Sequence, residues 1–474
     1  MDQIPQEHLS LFKTISKAGK LCNQPVYVIG GYVRDNLLKR NTSANFADID
    51  FVTVGSGIKL AQKVAELLDV NNVNTFRKFG TAHLRYKKFD LEFVGARTES
   101  YREDSRKPIV EEGSLEDDQR RRDFTINALS YSLNEQNFGE LIDPFDGLKD
   151  LKAGLIRTPI DAAQTFSDDP LRMMRAIRFA TELDFSIAPK TYTGILESAD
   201  RIAIISQERI TEELNKILSA PIPSKGFIYL FNTGLLNHIL PELSNLHGVE
   251  IREGIGHKDN FWHTLQVLDN TAEVSENLWL RWAALLHDIA KPPTKRFVKG
   301  TGWTFHGHDA LGAKWVKKIF RRLSLPLDER MRYVQKLVRL HLRPIALVDE
   351  EVTDSAVRRL IIEAGDNLED LMTLCRADIT SRNDKKVRRF LKNFDLVEQK
   401  VHEVAEKDRL RNWQPPIDGK EIMETLDLKE GPAVGKIKKA IEQAILDGEI
   451  SNDHEAAYNY MLQIKDQYLK HESS

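Results

Sequence analysis

The stretch Val26-Tyr-Val-Ile-Gly-Gly-Tyr-Val-Arg-Asp35 decides the fold of the N-terminal part of this chain. Its four leading apolar and aromatic residues predict a short β-strand, and Gly30 and Gly31 end that strand in a turn before a helical pattern. Glycine at such a turn lets backbone N–H groups approach a phosphate, and Arg34 adds a full positive charge near the helix N-terminus. A Gly-Gly turn on its own is more often an ordinary strand-to-helix connection.

A second motif, Asp48-Ile-Asp50, opens the apolar run Phe51-Val-Thr-Val54. Residues two apart in a strand point to the same face, so both carboxylates converge on one place. Their mutual repulsion is relieved by divalent cations such as Mg²⁺, which support two-metal phosphoryl transfer. Glu92, in the alternating segment Asp90-Leu-Glu-Phe-Val94, is a candidate third carboxylate. The alternative is a solvated turn, the usual fate of an isolated Asp-X-Asp.

The third motif, Arg120-Arg-Arg-Asp-Phe-Thr-Ile-Asn-Ala-Leu129, places consecutive arginines before an amphipathic segment. Guanidinium groups bind triphosphate and ribose through bidentate hydrogen bonds, whereas the alternative interpretation is a basic helix start. Short apolar runs alternate with helical patterns up to about residue 155, which indicates an α/β nucleus. After Pro170 the periodicity is helical almost throughout.

The composition is that of a globular protein with several domains. The chain has 474 residues, of which 41% are hydrophobic and 29% charged, and this length predicts two to four folded units. No apolar run approaches the roughly 20 residues of a membrane span, and the N-terminus lacks the pattern of a secretory signal. We therefore predict a cytoplasmic protein that does not contact membranes. Cys22 and Cys375 are predicted to be packing residues.

The net charge of −3 does not by itself indicate a nucleic-acid-binding protein, so charge has to be judged locally. Basic clusters occur at Lys314 to Arg322 and at Lys385 to Arg389. Each can meet phosphates, but we interpret both as solvated helix faces.

In their order and spacing, these motifs resemble the class II family of bacterial tRNA nucleotidyltransferases and poly(A) polymerases. The resemblance continues through Asp143-Pro-Phe-Asp-Gly-Leu-Lys-Asp-Leu151 and Asp168-Asp-Pro-Leu-Arg-Met-Met-Arg-Ala-Ile-Arg-Phe179, and it ends near Ser206-Gln-Glu-Arg-Ile210. It implies an α/β head of the polymerase-beta-like type with a mixed sheet, followed by mostly α-helical neck, HD and tail domains. It also implies that Asp48 and Asp50 are catalytic Mg²⁺ ligands. The nucleotide-binding residues that it implies are Gly30, Gly31, Arg34, Arg122, Asp123, Asp169, Arg172 and Arg175.

By the same resemblance, the segment from Asp168 to Arg172 reads the nucleobase, and its chemistry can be checked from the residues. Cytosine and adenine present an amino donor beside an unprotonated ring nitrogen, whereas uracil and guanine present a carbonyl beside a ring N–H. A carboxylate only accepts and a guanidinium only donates, so Asp169 and Arg172, three apart on one helix face, match cytosine and adenine. The family more often has Glu at the position of Asp168, which puts a direct base contact by that residue in doubt.

The resemblance implies template-independent addition of CCA to the 3′ end of tRNA from CTP and ATP. A poly(A) polymerase and a CC-adding enzyme are the alternative enzymes, and an RNA-binding protein with an inactive head is the alternative of another class. The segment Arg97-Thr-Glu-Ser-Tyr-Arg-Glu-Asp-Ser-Arg-Lys-Pro108 predicts a mobile loop, and in this family a loop here favours full CCA addition. Arg175 and Arg178 continue the stripe of Arg172, for which a helical ion-pair row is the alternative.

Further along the chain, histidines and aspartates follow in the order His, His-Asp, His, His, Asp, which resembles the HD phosphohydrolase superfamily. The metal ligands implied are His263, His287, Asp288 and Asp378 for a first ion, with His308 and His341 for a second. Imidazole and carboxylate ligands without cysteine suit Mn, Fe, Co, Ni or Mg better than structural zinc. Such a site activates water to hydrolyse phosphoesters, for example cyclic phosphates at RNA ends. The alternative is an inert helical body that supports tRNA.

We divide the chain into a catalytic head (1–155), a helical neck (156–245), an HD domain (246–410) and a tail (411–474). In the tail, Pro432 suits the first turn of a helix, and the helix end with its lysines can hold an RNA phosphate. These lysines are Lys436, Lys438 and Lys439. A surface helical hairpin is the equally weighted alternative. The expected partners are tRNA, CTP and ATP, with no obligate protein partner.

Overall fold

The computed structural model describes residues 4–40, 47–77, 80–102, 105–349, 353–380, 383–408 and 416–469. The chain forms two compact units, Met1–Ser244 and Asn245–Ser474. Within the described ranges, no helix combines the length and the apolar character that crossing a bilayer requires. Cys22 and Cys375 are both buried and free, which confirms that they are packing residues.

The first unit is built on a seven-stranded mixed sheet with the order β3-β4-β5-β2-β1-β8-β9. Strands β2 and β5 run parallel, and the other neighbours in this sheet run antiparallel. The strands of the unit are β1 (Val26–Ile29), β2 (Ala47–Thr53), β3 (Val73–Phe76), β4 (Thr81–Tyr86), β5 (Phe89–Gly95), β6 (Arg97–Arg102), β7 (Ser105–Glu112), β8 (Ser130–Ser132), β9 (Leu141–Ile142), β10 (Leu155–Ile156) and β11 (Ser186–Ile187).

Helices surround this sheet and then form the remainder of the first unit. They are α1 (Gln6–Cys22), α2 (Gly31–Leu37), α3 (Gly57–Leu68), α4 (Leu115–Arg120), α5 (Gly147–Ala153), α6 (Ala162–Asp168), α7 (Leu171–Leu183), α8 (Pro189–Ser198), α9 (Gln207–Leu218), α10 (Pro223–Asn232), α11 (Leu235–Ile239) and α12 (Pro241–Ser244). A mixed-sheet head followed by mostly helical structure confirms the predicted fold class.

Alternation along β2 separates the core from the functional face. Ile49 and Phe51 are fully buried, and the Phe51 ring stacks on Phe93 with centroids 5.1 Å apart. Phe12 of α1 meets the same Phe51 ring edge-on at 5.9 Å, so α1 covers this face of the sheet. Because side chains alternate along a strand, Asp48 and Asp50 point to the opposite face.

The structure corrects the loop prediction for the segment from Arg97 to Pro108. Strands β6 and β7 form an antiparallel hairpin with a register shift between Ser100 and Arg102, and residues 103–104 lie outside the described ranges. Serine, glutamate and lysine have low strand propensity, but the ladder of backbone hydrogen bonds and cross-strand pairs such as Arg97 opposite Glu112 outweigh that preference.

The second unit is mostly helical, with two small hairpins, β12–β13 and β14–β15. Its strands are β12 (Ile251–Arg252), β13 (Ile255–Gly256), β14 (Arg296–Val298) and β15 (Gly302–Thr304). Its helices are α13 (Asn260–Val274), α14 (Leu278–Leu286), α15 (Lys291–Thr294), α16 (His308–Arg322), α17 (Glu329–Leu340), α18 (Leu342–Asp349), α19 (Asp354–Ala364), α20 (Leu368–Asp378), α21 (Asp384–Asp408), α22 (Gly419–Leu426), α23 (Pro432–Leu446) and α24 (His454–Leu469).

Helices α22 to α24 share a small apolar core of their own. Ile422, Ile437 and Met461 are fully buried in it, one from each helix. Pro432 begins α23, and the lysines of this helix lie on its solvent side. The exposed lysines are Lys436, Lys438 and Lys439.

Candidate functional sites

Strand pairing brings three carboxylates together on the open face of the first unit's sheet. Asp50 lies directly opposite Glu92 of β5, and both share a face with Asp48. Burial raises the pKa of Asp50 to about 6, with Glu92 and Asp48 adding to the shift while Arg122 opposes it. A carboxylate that is disfavoured in its charged form by burial and by like charges is a favourable place for a cation.

The turn after β1 closes on these carboxylates. Gly30 has φ +84°, and its N–H donates to the Leu129 carbonyl at 3.2 Å. A side-chain carbon added at Gly30 would lie 3.0 Å from Arg122 Nη1 and 3.3 Å from Asp50 Oδ2. Glycine is therefore required for two reasons, its conformation and the close approach of a carboxylate and a guanidinium group.

Arg34, predicted to contact phosphate, is engaged within the protein. Its Nε and Nη2 donate to the Asp35 carboxylate at 2.8 and 2.9 Å, and Nη1 donates to Asn127 Oδ1 at 2.8 Å. The guanidinium also stacks over the Phe179 ring at 4.8 Å. A phosphate would have to compete with Asp35, so this geometry favours a role of Arg34 in holding the turn.

Asp118, which our sequence analysis missed, anchors the consecutive arginines. Its side chain is fully buried, and its carboxylate accepts from Arg121 Nε at 3.0 Å and from Arg122 Nε at 3.3 Å. The sequence did contain a signal for this contact. Asp118 precedes Arg121 and Arg122 by three and four residues, and residues at these spacings meet on a helix surface.

A row of ion pairs joins this motif to α7 and α9. Arg175 Nη2 lies 2.7 Å from Asp123 Oδ2, and Arg178 Nε lies 2.6 Å from the buried Glu213. Burial alone would raise the pKa of Asp123, but Arg175 and a hydrogen bond from Asn127 outweigh burial and lower it to about 2. Arg175 and Arg178 thus form the row of ion pairs that the sequence analysis gave as the alternative. Glu213 is a partner that the sequence did not reveal.

The structure corrects the placement of Asp169 and Arg172 on one helix face. Asp169 is extended, with φ −142° and ψ 100°, between α6 and α7, because the residue before a proline is sterically excluded from the helical region. Its neighbour Pro170 is the N-cap of α7, whose first turn carries Arg172. The Asp169 side chain therefore extends from the junction between α6 and α7, and the Arg172 side chain extends from the first turn of α7.

Each of these two side chains is held by its own partner. Asp169 Oδ1 accepts from the Leu171 N–H at 3.2 Å, and Oδ2 accepts from Arg209 Nη2 at 3.2 Å. Arg172 Nη2 donates to the Arg121 carbonyl at 2.6 Å. Arg209, which we did not single out, lies in the last stretch of the resemblance. The Asp168 side chain accepts instead from Gln164 at 2.7 Å.

In the second unit, all six predicted metal ligands come together in one buried cluster. His263 Nε2 lies 2.8 Å from Asp378 Oδ1, and His287 Nε2 lies 3.1 Å from Asp288 Oδ2. His308 Nε2 lies 3.3 Å from Asp288 Oδ1. The donors form two groups, His263 with His287 and Asp378, and Asp288 with His308 and His341, and within each group they lie within 4.8 Å of one another.

Three of the histidines are oriented by backbone carbonyls. The Nδ1 atoms of His287, His308 and His341 lie 2.8, 2.7 and 2.8 Å from the carbonyls of residues Ala284, Phe305 and Val338. A hydrogen bond from Nδ1 leaves Nε2 with a free lone pair, the arrangement typical of metal-bound histidine. His287 Nε2 is buried beside the Asp288 carboxylate, 3.1 Å away, and makes no well-directed hydrogen bond to a described residue. This donor set fits one or two metal ions.

The charge states of the metal-free cluster are mixed. Burial alone would lower the pKa of the His287 ring, but the Asp288 carboxylate outweighs burial and raises it, so a metal ion at His287 has to displace a proton. Burial lowers the pKa of His341 to about 4, which keeps its ring neutral. Burial alone would raise the pKa of Asp288, but His287 and Lys291 outweigh it and hold that pKa well below its usual range. Neutral imidazoles and ionised carboxylates are the forms that bind cations. Lys291, whose Nζ lies 2.5 Å from Asp288 Oδ2, was missed although it stands one helical turn after that aspartate.

Cys375 and His306 lie near this cluster without joining it. The Cys375 thiol donates to the His341 carbonyl at 2.9 Å, and burial raises the pKa of this thiol well above its usual value. It therefore stays protonated. His306 is exposed, whereas His308 is buried.

Three family models match the sequence in succession. They are described as "Poly A polymerase head domain" for residues 26–157, "Probable RNA and SrmB- binding site of polymerase A" for residues 184–246, and "HD domain" for residues 260–383.

Similar proteins span both halves of the chain. An A-adding tRNA nucleotidyltransferase of Deinococcus radiodurans is 34% identical over 354 residues, which cover 72% of this chain and 78% of the relative. A CCA-adding enzyme of Geobacillus stearothermophilus is 27% identical over 97% of this chain and 96% of the relative. Among solved structures, the CCA-adding enzyme of Bacillus stearothermophilus in complex with CTP has the same fold, with a TM-score of 0.66, 23% identity and 98% coverage of each chain. The chain thus belongs to the family of tRNA nucleotidyltransferases and poly(A) polymerases and carries an HD domain.

Proposed function

We propose that this protein adds nucleotides to the 3′ end of tRNA without a template and builds the complete CCA end from CTP and ATP. The observation that carries the proposal is the convergence of Asp48, Asp50 and Glu92 beside the Gly30 turn. The family membership of the chain supports the same conclusion.

Asp48 and Asp50 would hold Mg²⁺, since burial and like charges make a cation favourable there. When bound, Mg²⁺ activates the attacking 3′-hydroxyl and stabilises the departing pyrophosphate. Gly30 leaves room for the triphosphate to approach the carboxylates, and Arg122 supplies positive charge at the same place. We propose that Gly31, Asp123 and Arg175 also belong to this nucleotide-binding pocket.

Asp169 and Arg172 would select the base. The Asp169 carboxylate accepts from the amino group of cytosine or adenine, and the Arg172 guanidinium donates to the ring nitrogen. Both side chains are already held, by Arg209 and by the Arg121 carbonyl, so they are oriented before the nucleotide arrives. With uracil or guanine, the Asp169 carboxylate would face a carbonyl and the Arg172 guanidinium would face a ring N–H. Acceptor would meet acceptor and donor would meet donor, so these bases would be rejected strongly.

Addition of A alone is a second candidate, because the Deinococcus radiodurans relative, the more similar of the two, is A-adding. The relative that spans nearly the whole chain is CCA-adding, and we favour that activity.

Two tRNA transcripts test the choice between CCA addition and A addition. The first lacks CCA and the second lacks only the final A, and each is incubated with Mg²⁺ and with CTP, ATP or both. We expect CTP alone to add two residues to the first transcript, and CTP with ATP to complete it and then stop. Extension of only the second transcript would show A addition. A stop at CC or a long A tail would favour the other enzymes of the family.

We also propose that the six-residue cluster of the second unit is a metal-dependent phosphohydrolase centre. His263, His287, Asp288 and Asp378 would hold a first ion, and His308 and His341 a second, with Mn, Fe, Co, Ni or Mg as candidates. Bound metal lowers the pKa of water and supplies hydroxide for attack on phosphorus.

His287→Ala and His306→Ala form a matched pair for this proposal, because only His287 belongs to the cluster. We expect His287→Ala to lose metal and hydrolysis of cyclic phosphates at RNA ends while nucleotide addition continues, and His306→Ala to keep all three. Equal hydrolysis by His287→Ala and the unchanged protein would refute the centre.

A further inference from the structure

The two hairpins of the second unit carry an aromatic wall, which we define as His257, Phe297, Trp303 and Phe305. Trp303 Nε1 donates to the Ile255 carbonyl at 3.0 Å and so joins the hairpins. The His257 ring meets Trp303 and Phe305 edge-on, at 5.5 and 5.8 Å between centroids. Phe297 packs against Trp303 at 5.2 Å.

Three rings of the aromatic wall have a cation over their face. Lys295 Nζ lies 5.1 Å from the Trp303 centroid, and Lys291 Nζ lies 5.6 Å from that of Phe305. The Arg252 guanidinium lies 5.0 Å from the centroid of the third ring, Phe297. Ring faces combined with positive charge are the means by which proteins hold bases and phosphates together.

The aromatic wall begins at the metal-ligand cluster. Lys291 contacts both Phe305 and the Asp288 carboxylate. The Phe305 carbonyl accepts from His308 Nδ1 at 2.7 Å, so this part of the wall orients a predicted ligand. The interpretation without function is a small packing core between two hairpins. Against it, the aromatic rings are only half-buried, and Ile251 beside them is 72% exposed.

We infer that the aromatic wall stacks the base of a nucleoside phosphate whose phosphate reaches the metal-ligand cluster, with Trp303 and Phe305 as specificity-determining residues. This inference rests on the proposed phosphohydrolase function and narrows its substrates to phosphoesters that carry a planar heterocycle. Lys291 is placed to contact the phosphate, and the sugar would span the gap to the rings.

Tryptophan fluorescence tests the stacking without metal and without interference from the head. All six tryptophans fall after residue 244 of the sequence, and Trp413 lies outside the described ranges. The other five are Trp262, Trp279, Trp282, Trp303 and Trp315. With EDTA present, we expect AMP to quench the emission at a concentration at least about tenfold below that of ribose 5-phosphate, since only AMP has a base that can stack. Trp303→Phe should lose most of this quenching, and Phe305→Ala should require more AMP.

Trp279→Phe is the matched control and should keep the quenching. Quenching that persists in Trp303→Phe, equal quenching by ribose 5-phosphate, or none at all would overturn the inference. A trinucleotide with a 3′-phosphate distinguishes the sources of the base. Stronger quenching by the trinucleotide assigns the wall to RNA ends, and stronger quenching by AMP assigns it to free nucleotides.

Hydrolysis by the metal-loaded protein gives the second readout. Adenosine 2′,3′-cyclic phosphate and glycerol 1,2-cyclic phosphate share a cyclic phosphodiester, but only the first has a base. Water adds across one P–O bond of the ring and leaves a phosphomonoester and a free hydroxyl group. We expect Trp303→Ala to lower kcat/KM about tenfold for the adenosine substrate alone, and Trp303→Phe to restore most of it.

If Trp303→Ala lowers kcat/KM equally for both cyclic phosphates, or for neither, Trp303 does not determine specificity. If the unchanged protein hydrolyses neither, the proposed phosphohydrolase function fails, and the fluorescence titration alone decides the stacking.

Discussion

The carboxylate site of the first unit and the metal-ligand cluster of the second solve a similar problem in different ways. Asp48, Asp50 and Glu92 come from two paired strands, and the pairing register alone brings Asp50 opposite Glu92. In the cluster, His263 and Asp378 lie 2.8 Å apart although more than a hundred residues separate them.

The two sites also differ in how they are stabilised without metal. In the first unit, like charges face one another and the pKa of Asp50 rises to about 6 through burial. In the second, imidazoles stand among the carboxylates, and the pKa values of Asp288 and Asp378 fall despite burial. In the first unit, Arg122 only partly offsets the burial and like charges that raise the pKa of Asp50, so this site depends more strongly on a cation for charge balance. The mixed site of the second unit is partly balanced by its own ligands.

Asp50→Asn should separate the two sites with the largest effect. Removing the charge that would bind Mg²⁺ is expected to slow nucleotide addition at least about a thousandfold, about 4 kcal/mol in the barrier. Hydrolysis by the second unit should not change. Single-turnover extension of a tRNA transcript measures the effect, with hydrolysis of a cyclic phosphate by the metal-loaded protein as the control. Addition within tenfold of the unchanged rate would remove Asp50 from the metal site.

Thr380→Val is a smaller change, directed at the surroundings of the cluster. Thr380 Oγ1 lies 2.9 Å from His263 Nδ1, and loss of such a partner typically weakens metal affinity about 10–100-fold. Titration with a competing chelator measures the affinity. Thr373→Val, the same substitution within the preceding helix α20, serves as the control. Unchanged affinity in Thr380→Val would mean that Thr380 does not orient a metal ligand.

Asp169→Asn should relax base selection. An amide both donates and accepts, so it no longer opposes uracil, and we expect the preference for CTP over UTP to fall at least about tenfold, or about 1.4 kcal/mol. Competition between the two nucleotides on one tRNA transcript gives the ratio. Asp168→Asn is the neighbouring control and should leave the ratio near its original value. A similar fall in the CTP-to-UTP preference in both variants would mean that Asp168 and Asp169 select the base together.

Asp143→Ala should have the smallest effect, and only on stability. The Asp143 carboxylate accepts from the N–H groups of Gly147 and Leu148 at 2.7 and 2.9 Å and so caps α5. Loss of a cap costs about 1 kcal/mol. Thermal unfolding should show a lower midpoint for the first unit alone. Lys152→Ala, an exposed change on the same helix, should leave the midpoint in place.

Much of the first unit was predictable from local spacing. Four short apolar runs in the sequence became β1, β2, β4 and β5, because strand alternation depends on neighbouring residues. These runs are Val26 to Ile29, Ile49 to Val54, Ala82 to Tyr86 and Leu91 to Val94. The hairpin at β6–β7 was not predictable, because its pairing overrides unfavourable strand propensities. The position of Asp169 could have been anticipated, since Pro170 follows it directly, but the wider helical periodicity obscured that signal.

The sequence alone determined the family, the fold class and the order of the chemistry-bearing residues, since motif spacing and side-chain alternation are properties of the chain itself. Only the tertiary structure decided which groups neutralise one another. Arg175 is neutralised by Asp123, and Asp169 by Arg209. Such pairings depend on where separate helices and strands pack. For the two sites, the same reason holds: spacing predicted both, but only packing placed Glu92 beside Asp50 and the aromatic wall beside the metal-ligand cluster.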